Sequence, residues 1–444
     1  MPFTPIERRN LSCAIRVRRA AAMDDAQPAA VQPPRRALWG WASYYVGNHA
    51  FTTAAITVFF PIFFKEVWSG GVPVEVSTLR LGIANSAASL LVALTAPLLG
   101  AIADRGGHGK GFMLAAALLG VALMLALAVV PAGAWAWAVV VYVLASAGNF
   151  WGNVFGDAMV LRVGTPGRVE RTSAIGYLAG YAGGGVFLAV SVALSLKPHW
   201  FGLPDAGAAV RWIFALGALW WAAFTLPLLW WVPAQRAAVE RLPLRAALRE
   251  GLRQFATTVR HVRAYRSIAL FLVAYWLYID GVNTVIQMAV DYGKSIGLGS
   301  GPLILAVLMV QFIGVPAALV FGRLGERIGP KRGILIGLAV YVLASAFAAG
   351  MHHAWQFFAL AAAVGMVQGG VQLLSRAYFA RLVPRERAGE FFGFYNMLGE
   401  FAAILGPLLI GLTSYLSGDP RASILSVIVL FALGGGLLLR VPKA

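Results

Sequence analysis

The sequence predicts an all-α integral membrane protein with twelve transmembrane helices in two pseudo-symmetric six-helix bundles. Of its 444 residues, 59% are hydrophobic and 12% are charged, whereas a soluble domain has about 25% charged residues. The mean hydropathy is +0.75. Long uncharged runs, such as residues 172–196, are long enough to cross the hydrocarbon as helices. One water-soluble core cannot bury this much apolar surface, so the predicted solvent is lipid.

The apolar runs predict twelve spans in chain order. No segment alternates as a barrel strand does, and only helices and closed barrels satisfy their backbone in lipid. The spans are predicted at about 38–64, 79–103, 111–131, 135–160, 172–196, 210–232, 267–290, 301–324, 333–351, 354–381, 390–416 and 422–440.

Polar segments divide the chain into four regions. They are a disordered basic tail over 1–36, a six-helix bundle over 37–232, a cytoplasmic linker over 233–266 and a second six-helix bundle over 267–444. In the linker, the spacing of Arg241, Arg245, Arg249 and Arg253 predicts an amphipathic helix on the inner membrane surface. A solvated linker without that helix is the alternative.

The basic residues predict the orientation of the chain. Of the 36 Lys and Arg residues, six lie in the loops predicted to be outside, and the other 30 lie in the tails and inner loops. The positive-inside rule then places both termini in the cytoplasm and the chain in the cell (inner, or plasma) membrane. The net charge of +18 therefore reflects topology, and nucleic acid is not a predicted partner.

Several functional classes find no support. Cys13 is the only cysteine, so a disulfide framework and a thiolate metal site are excluded. The histidines lack metal-ligand spacing, and the chain has no nucleotide-hydrolysing domain. We therefore predict no enzyme activity, no catalytic residues, no metal and no cofactor. The predicted partners are membrane lipid, a small-molecule substrate and protons, with the protein as a monomer.

Two inner loops repeat one motif. Gly100-Ala-Ile-Ala-Asp104-Arg105-Gly-Gly107 follows the second span, and Gly322-Arg-Leu-Gly-Glu326-Arg327-Ile-Gly329 follows the eighth. Glycine, acid, arginine and glycine recur at the same steps. The repeat predicts an internal duplication of six helices.

Polar residues form stripes on four of the predicted helices. Each set recurs at a spacing that keeps it on one helix face, and polar groups facing lipid would be costly. The stripes therefore predict a central pathway, lined from the first, fourth, seventh and tenth spans. They consist of Trp41, Tyr45, Asn48 and Thr52; Asn149, Asn153 and Asp157; Trp276, Asp280, Asn283 and Gln287; and Gln368, Gln372 and Arg376. The candidate substrate-binding residues are Trp41, Tyr45, Asn48, Asn149, Asn153, Trp276, Asp280, Asn283, Gln368 and Gln372.

The loop motif, its repeat and the six-plus-six layout resemble the major facilitator superfamily. A narrower resemblance, to the vacuole-effluxer-like branch related to amino-acid effluxers of fungal vacuoles, rests on four segments: 59–64 (FFPIFF), 173–177 (SAIGY), 372–376 (QLLSR) and 390–395 (EFFGFY). That branch usually has aspartate where this chain has Tyr45. The resemblance implies alternating access, with Asp104, Arg105, Glu326 and Arg327 as cytoplasmic clamps; plain topology anchors are the alternative.

Two carboxyl groups are candidates for proton coupling. Asp280 lies about 20 Å into the seventh span, at 1.5 Å per residue, near the bilayer midplane. It is predicted to exchange protons or to face a substrate amine; a structural acid between helices is the alternative. Glu400, within the eleventh span, is the second candidate, and the sequence does not choose between the two.

Asp157 and Arg376 occupy equivalent positions in the two halves, near the cytoplasmic ends. They are predicted to form a gate that closes the inner mouth. Alternatively, Arg376 binds a substrate carboxylate directly, or both side chains snorkel at helix ends.

The predicted function is secondary active transport of a small polar organic solute, coupled to protons, with amino acids favoured by the resemblance. The alternatives are facilitative transport, a drug or sugar exporter of the same fold, a channel, and a receptor or scaffold that does not transport.

Overall fold

The computed structural model describes residues 35–106, 109–164, 169–233, 244–384, 388–400 and 402–442. All regular elements in these ranges are helical. They are α1 (Arg35–Trp68), α2 (Val74–Gly106), α3 (Gly109–Val129), α4 (Trp135–Val163), α5 (Val169–Leu196), a short 3₁₀ turn (Pro198–Phe201), α6 (Ala206–Trp231), α7 (Leu244–Ala264), α8 (Arg266–Ser295), α9 (Ser300–Ile328), α10 (Pro330–Ala349), α11 (Ala354–Leu382), α12 (Ala388–Glu400), α13 (Leu405–Ser417) and α14 (Pro420–Arg440).

These helices make a multi-pass membrane protein. In the described part of the chain, ten helices are long and apolar enough to cross a membrane, namely α1 to α6, α8, α10, α11 and α14. Two shorter apolar helices accompany them, Ser300–Gly314 within α9 and Leu405–Ser417, which is α13. The predicted tail over 1–36 lies outside the described residues except for Arg35 and Arg36, which begin α1.

One packing pattern occurs twice along the chain. In the first part, α1 packs on α5 and α6, and α3 packs on α4 and α6. In the second part, α8 packs on α13 and α14, and α10 packs on α11 and α14. The two parts meet where α2 packs on α13, α5 packs on α9 and α1 packs on α8.

Basic side chains at equivalent positions cap helix C-termini in both parts. Lys110, in the first turn of α3, donates to two carbonyl oxygens at the end of α6, at 2.5 and 2.7 Å. Lys331, in the first turn of α10, does the same at the end of α14, at 2.5 and 3.0 Å. At the opposite ends, Arg211 of α6 donates to two carbonyls at the end of α3, and Arg421 of α14 to two at the end of α10. Carbonyls at a helix C-terminus otherwise lack partners.

The first helix is not a regular α-helix along its whole length. It widens to π-helical turns over Thr52–Phe59 and again over Phe64–Trp68. The Thr57 hydroxyl donates to the carbonyl of Thr52 at 3.0 Å. Pro61, between the two wide stretches, has no N–H to donate to the preceding turn. The predicted span 38–64 is therefore a helix with an irregular outer half, and such π-turns are frequent at functional sites.

The predicted continuous span at 390–416 is wrong. The structure has two helices there, α12 and α13, and residues 402–404 between them are not helical. Pro407 cannot donate the N–H that would pair with the carbonyl of Ala403 in a continuous helix. An unbroken apolar run does not reveal such a break.

The linker contains an amphipathic helix, α7, rather than only solvated chain. Helix α7 packs against α2, α8 and α12. Val262 on this helix is buried, whereas Arg249, Arg253, Arg260 and Arg263 are exposed. Arg241 lies outside the described residues.

We expect Lys331→Met to destabilise the protein by about 1–2 kcal/mol, because two carbonyl oxygens at the end of α14 lose their donor. The measurement is thermal unfolding of the purified protein in detergent. Arg332→Met is the matched control, since Arg332 is the next residue and is exposed. Equal melting temperatures for the two variants would contradict the assigned role of Lys331.

Candidate functional site

The polar stripes of α1 and α4 face each other. Trp41 donates its indole N–H to the carbonyl of Gly156 at 2.8 Å, and the Tyr45 hydroxyl donates to Asp157 Oδ1 at 2.9 Å. One turn further along α1, the side-chain Nδ2 of Asn149 lies 3.4 Å from the carbonyl oxygen of Asn48. The two helices are thus joined by hydrogen bonds from residues that the sequence placed on one pathway.

These α1 and α4 residues differ in exposure. Trp41, Tyr45, Asn48 and Asn149 are at most 8% exposed, and Asn153 is half-buried. The amide oxygens of Asn48, Asn149 and Asn153 have no hydrogen-bond donor among the described residues. Buried acceptors of this kind normally have partners, so this cluster has hydrogen-bonding capacity to spare.

In the second part of the chain, the stripe residues on α8 and α11 are mostly half-buried. This holds for Trp276, Asn283, Gln368 and Gln372. Asp280 is fully buried, Gln287 is 8% exposed and Arg376 is exposed.

Both carboxylate oxygens of Asp280 accept hydrogen bonds from backbone N–H groups at the break in the predicted eleventh span. Oδ2 accepts from the backbone N–H groups of Ile404 and Leu405 at 3.2 and 2.9 Å. Oδ1 accepts from the N–H of Gly406 at 2.8 Å and from the Thr284 hydroxyl at 3.3 Å. Asp280 therefore caps the N-terminus of α13, where a negative charge is stabilised by the helix dipole.

On the other side of the break, α8 supplies a donor. Asn283 donates from Nδ2 to the carbonyl of Ala402 at 2.6 Å and lies 3.5 Å from the carbonyl of Gly399. Glu400, the second coupling candidate, is the last residue of α12. The acid and the amide of α8 thus bond to the backbone of Ala402 and of residues 404–406 at the break.

Asp157 and Arg376 are both exposed. Arg376 lies close enough to act electrostatically on the Asp157 carboxylate. Among the described residues, however, Asp157 pairs with Tyr45, and the Arg376 guanidinium lies over the Phe392 ring at 5.9 Å from its centroid. The two charges are near each other without forming an ion pair in this structure.

The loop motifs end α2 and α9. Asp104 and Arg105 lie in the last turn of α2, and their side chains are outside the described part. Glu326 and Arg327 lie in the last turn of α9 and are exposed. The predicted clamp contacts are not seen in the part of the chain that the structure describes.

A buried ion pair joins the C-terminal ends of α1 and α8, which the charge distribution predicts to lie outside. Lys65 Nζ lies 2.9 Å from Asp291 Oδ1, and the two side chains are 8% and 0% exposed. Lys65 also donates to Thr78 of α2 at 2.8 Å and to Ser295 at 2.6 Å. The Thr78 hydroxyl donates to Asp291 Oδ2 at 2.9 Å. We call these four residues the outer latch.

A second, more exposed pair lies beside the outer latch with its signs reversed. Lys294 of α8 lies 2.5 Å from Glu66 of α1, and Ser300 donates to the same carboxylate at 3.1 Å. Below both pairs, Gly82 of α2 packs against the carbonyl of Pro407 so closely that a side chain would not fit. The outer ends of the two parts are therefore held together.

Sequence reasoning missed the outer latch. Lys65 was counted only as an outer-loop charge, and Asp291 follows the predicted end of the seventh span at 290. The available signal was an acid and a base at equivalent ends of the first and seventh spans. No group of three His, Cys, Asp or Glu residues that would hold a metal ion occurs among the residues described.

We expect Asp291→Asn or Lys65→Met to open the outer side, because each leaves one buried charge without its partner, a loss typically of about 3–5 kcal/mol. The readout is maleimide labelling of Met288→Cys in a Cys13→Ser chain, since Met288 is fully buried. Labelling should rise in both variants and fall again in Lys65→Asp/Asp291→Lys. Glu66→Gln is the control and should change little, because Glu66 is exposed. Unchanged labelling in the single variants would refute the latch.

Comparison with known proteins gives consistent matches. The family model described as "Vacuole effluxer Atg22 like" matches residues 67–160 and 166–444. The uncharacterized MFS-type transporter YxiO of Bacillus subtilis is 35% identical over 405 residues, which cover 91% of this chain and 94% of that protein. Autophagy-related protein 22 of Yarrowia lipolytica is 24% identical over 310 residues, which cover 63% of this chain and 51% of that protein.

Solved structures share the fold at low identity. The D-xylose–proton symporter has a TM-score of 0.67 at 14% identity and covers 92% of this chain and 98% of its own. A bacterial homologue of the human lysosomal transporter Spinster, in an inward-facing and unoccupied conformation, has a TM-score of 0.64 at 15% identity and covers 92% and 97%. These likenesses extend along nearly the whole chain.

Proposed function

Because the chain belongs to the vacuole effluxer Atg22-like family and is a transporter of the major facilitator type, we propose that it moves a small polar organic solute by alternating access. The observation that carries this proposal is the asymmetry between its two ends. The outer latch is closed and buried, whereas Asp157 and Arg376 at the inner side are exposed and form no ion pair with each other. A carrier that faces the cytoplasm has this arrangement.

We infer twelve spans in two six-helix bundles, over residues 37–232 and 267–444, with the linker over 233–266 between them. The ten long helices, the two shorter apolar ones and the matched caps of Lys110 and Lys331 support this count. The charge distribution supports cytoplasmic termini and a place in the cell membrane, and we propose that the protein is a monomer.

The proposed substrate is an amino acid or a related metabolite. Asp157 and Arg376 offer opposite charges on exposed side chains, which suits a zwitterion. The spare amide oxygens of Asn48, Asn149 and Asn153 suit hydrogen-bond donors on such a solute. We propose that Trp41, Tyr45, Trp276, Gln368 and Gln372 complete the binding region, and that Asp104, Arg105, Glu326 and Arg327 clamp the inner face.

The test of this function has two steps. Metabolites are compared between cells that lack the protein and cells that overproduce it, and the protein is then reconstituted in liposomes with a mixture of radiolabelled L-amino acids. Saturable flux of an amino acid at pH 6 and pH 8 supports the proposal. If only a sugar or a drug shows saturable flux, the proposed substrate class is wrong. Absence of any flux would indicate a receptor or scaffold. Flux that does not saturate would indicate a channel.

Exchanging the charges of Asp157 and Arg376 tests their proposed gate. We expect Asp157→Arg and Arg376→Asp each to reduce flux at least about tenfold, and the double exchange to restore much of it, because a gate needs only opposite charges. Flux is measured in liposomes with the amino-acid mixture. If the double variant stays as inactive as the single ones, Arg376 contacts the substrate carboxylate and the gate assignment fails.

Proton coupling is proposed at Asp280 or Glu400. We expect Asp280→Asn or Glu400→Gln to abolish uphill accumulation driven by a pH gradient, because a residue that carries the proton must titrate. Accumulation is measured with an imposed gradient, and downhill exchange without one. Wild-type accumulation and pH dependence in both variants would contradict proton coupling at these residues.

A further inference from the structure

The break between α12 and α13 lies just before Gly406 and Pro407. Ala402 and Ala403 have high intrinsic helix propensity, yet neither is helical. Pro407 disfavours a continuous helix here and is tolerated in the first turn of a new one. Local sequence thus favours an interruption, and tertiary contacts define the backbone geometry at residues 402–404.

Those contacts come from one face of α8. Asp280 accepts three backbone N–H groups from the start of α13, and Asn283, one turn along, donates to the carbonyl of Ala402. An unpaired backbone group inside a membrane costs several kcal/mol. The two side chains replace the hydrogen bonds that a continuous helix would make, so they hold residues 402–404 open.

The two halves on either side of the break have different neighbours. The outer half, α13, packs on α2. At Gly411 a Cβ atom would lie only 3.0 Å from Leu79 Cα, so the two backbones are in close contact there. Ser86 of α2 also donates to the carbonyl of Ile404, at 2.7 Å. The inner half, α12, instead lies beside the cytoplasmic parts of α2 and α4 and beside α7. Its Phe392 is the ring under Arg376.

We propose that the break is a hinge held open by Asp280 and Asn283 as positioning residues. The hinge lets α12 swing to close the cytoplasmic mouth while α13 stays docked on α2 behind the outer latch. Both mouths are then closed together for part of the cycle. The inference rests on the proposed alternating access and assigns Asp280 a role that requires no proton transfer.

A distance measurement on spin labels tests the hinge without any substrate. Gly393 on α12 and Leu412 on α13 are both exposed, and a side chain at Gly393 meets open space. Both are replaced by cysteine in a Cys13→Ser chain in liposomes. An unbroken helix would hold the labelled backbone positions about 28 Å apart at 1.5 Å per residue in every state. We compare the chain with its latch intact and the chain carrying Lys65→Met.

The hinge predicts two resolved distances, one for each latch state. A pair at Leu425 and Leu439 on the unbroken α14 is the control and should give one distance throughout. Asp280→Asn and Asn283→Leu should each replace the two resolved distances by one broad distribution that no longer depends on the latch, because the backbone groups at the break lose the partners that define its geometry. A single distance in the parent chain, or two distances that persist in both variants, would overturn the proposal.

Flux separates the hinge from proton coupling. If Asp280 positions the hinge, then Asn283→Leu slows downhill exchange as Asp280→Asn does, with KM unchanged, since both side chains are bonded to the backbone at the break. If Asp280 only carries a proton, Asn283→Leu behaves as wild type and the hinge assignment fails. Asp419→Asn is the matched control, because Asp419 caps α14 through the N–H of Arg421 at 2.8 Å, far from the break. It should transport normally.

Discussion

Lipid donates no hydrogen bonds to a peptide group, and several helix ends and one helix break in the described residues have polar side chains as partners. The break between α12 and α13 is satisfied by Asp280 and Asn283. The ends of α6 and α14 are satisfied by lysines, and the ends of α3 and α10 by arginines. Charged side chains are thus found where the backbone cannot pair with itself. This constraint determines where the helices end and where one of them is interrupted.

Much of the fold follows from the sequence because apolar length and charge asymmetry act along the chain. The runs predicted at 111–131 and 354–381 correspond to α3 and α11 within a few residues. The interruption near Ala402 was not predictable in the same way. Gly406 and Pro407 disfavour a continuous helix there, but the side chains that define the break, Asp280 and Asn283, lie on α8, more than a hundred positions earlier.

The candidate site shows the same division. Helical spacing placed Trp41, Tyr45 and Asp157 on faces that the structure brings together. Spacing alone did not show that the Asp280 carboxylate would accept hydrogen bonds from backbone N–H groups. That depends on the start of α13 lying opposite Asp280, which is a tertiary contact. The outer latch was missed for a related reason. Lys65 and Asp291 lie at the ends of predicted spans, where a charged residue normally indicates the membrane boundary. Their pairing became clear only from the packing of α1 against α8.

The latch and its neighbour also bear on how the carrier responds to membrane voltage. Lys65 with Asp291 and Glu66 with Lys294 put one positive and one negative charge on each of α1 and α8. Moving an unbalanced elementary charge through the membrane field costs about 2.3 kcal/mol per 100 mV. Each helix end carries no net charge from these pairs, so their separation transfers almost none across the field. These four charges therefore contribute almost no charge movement when the outer side opens.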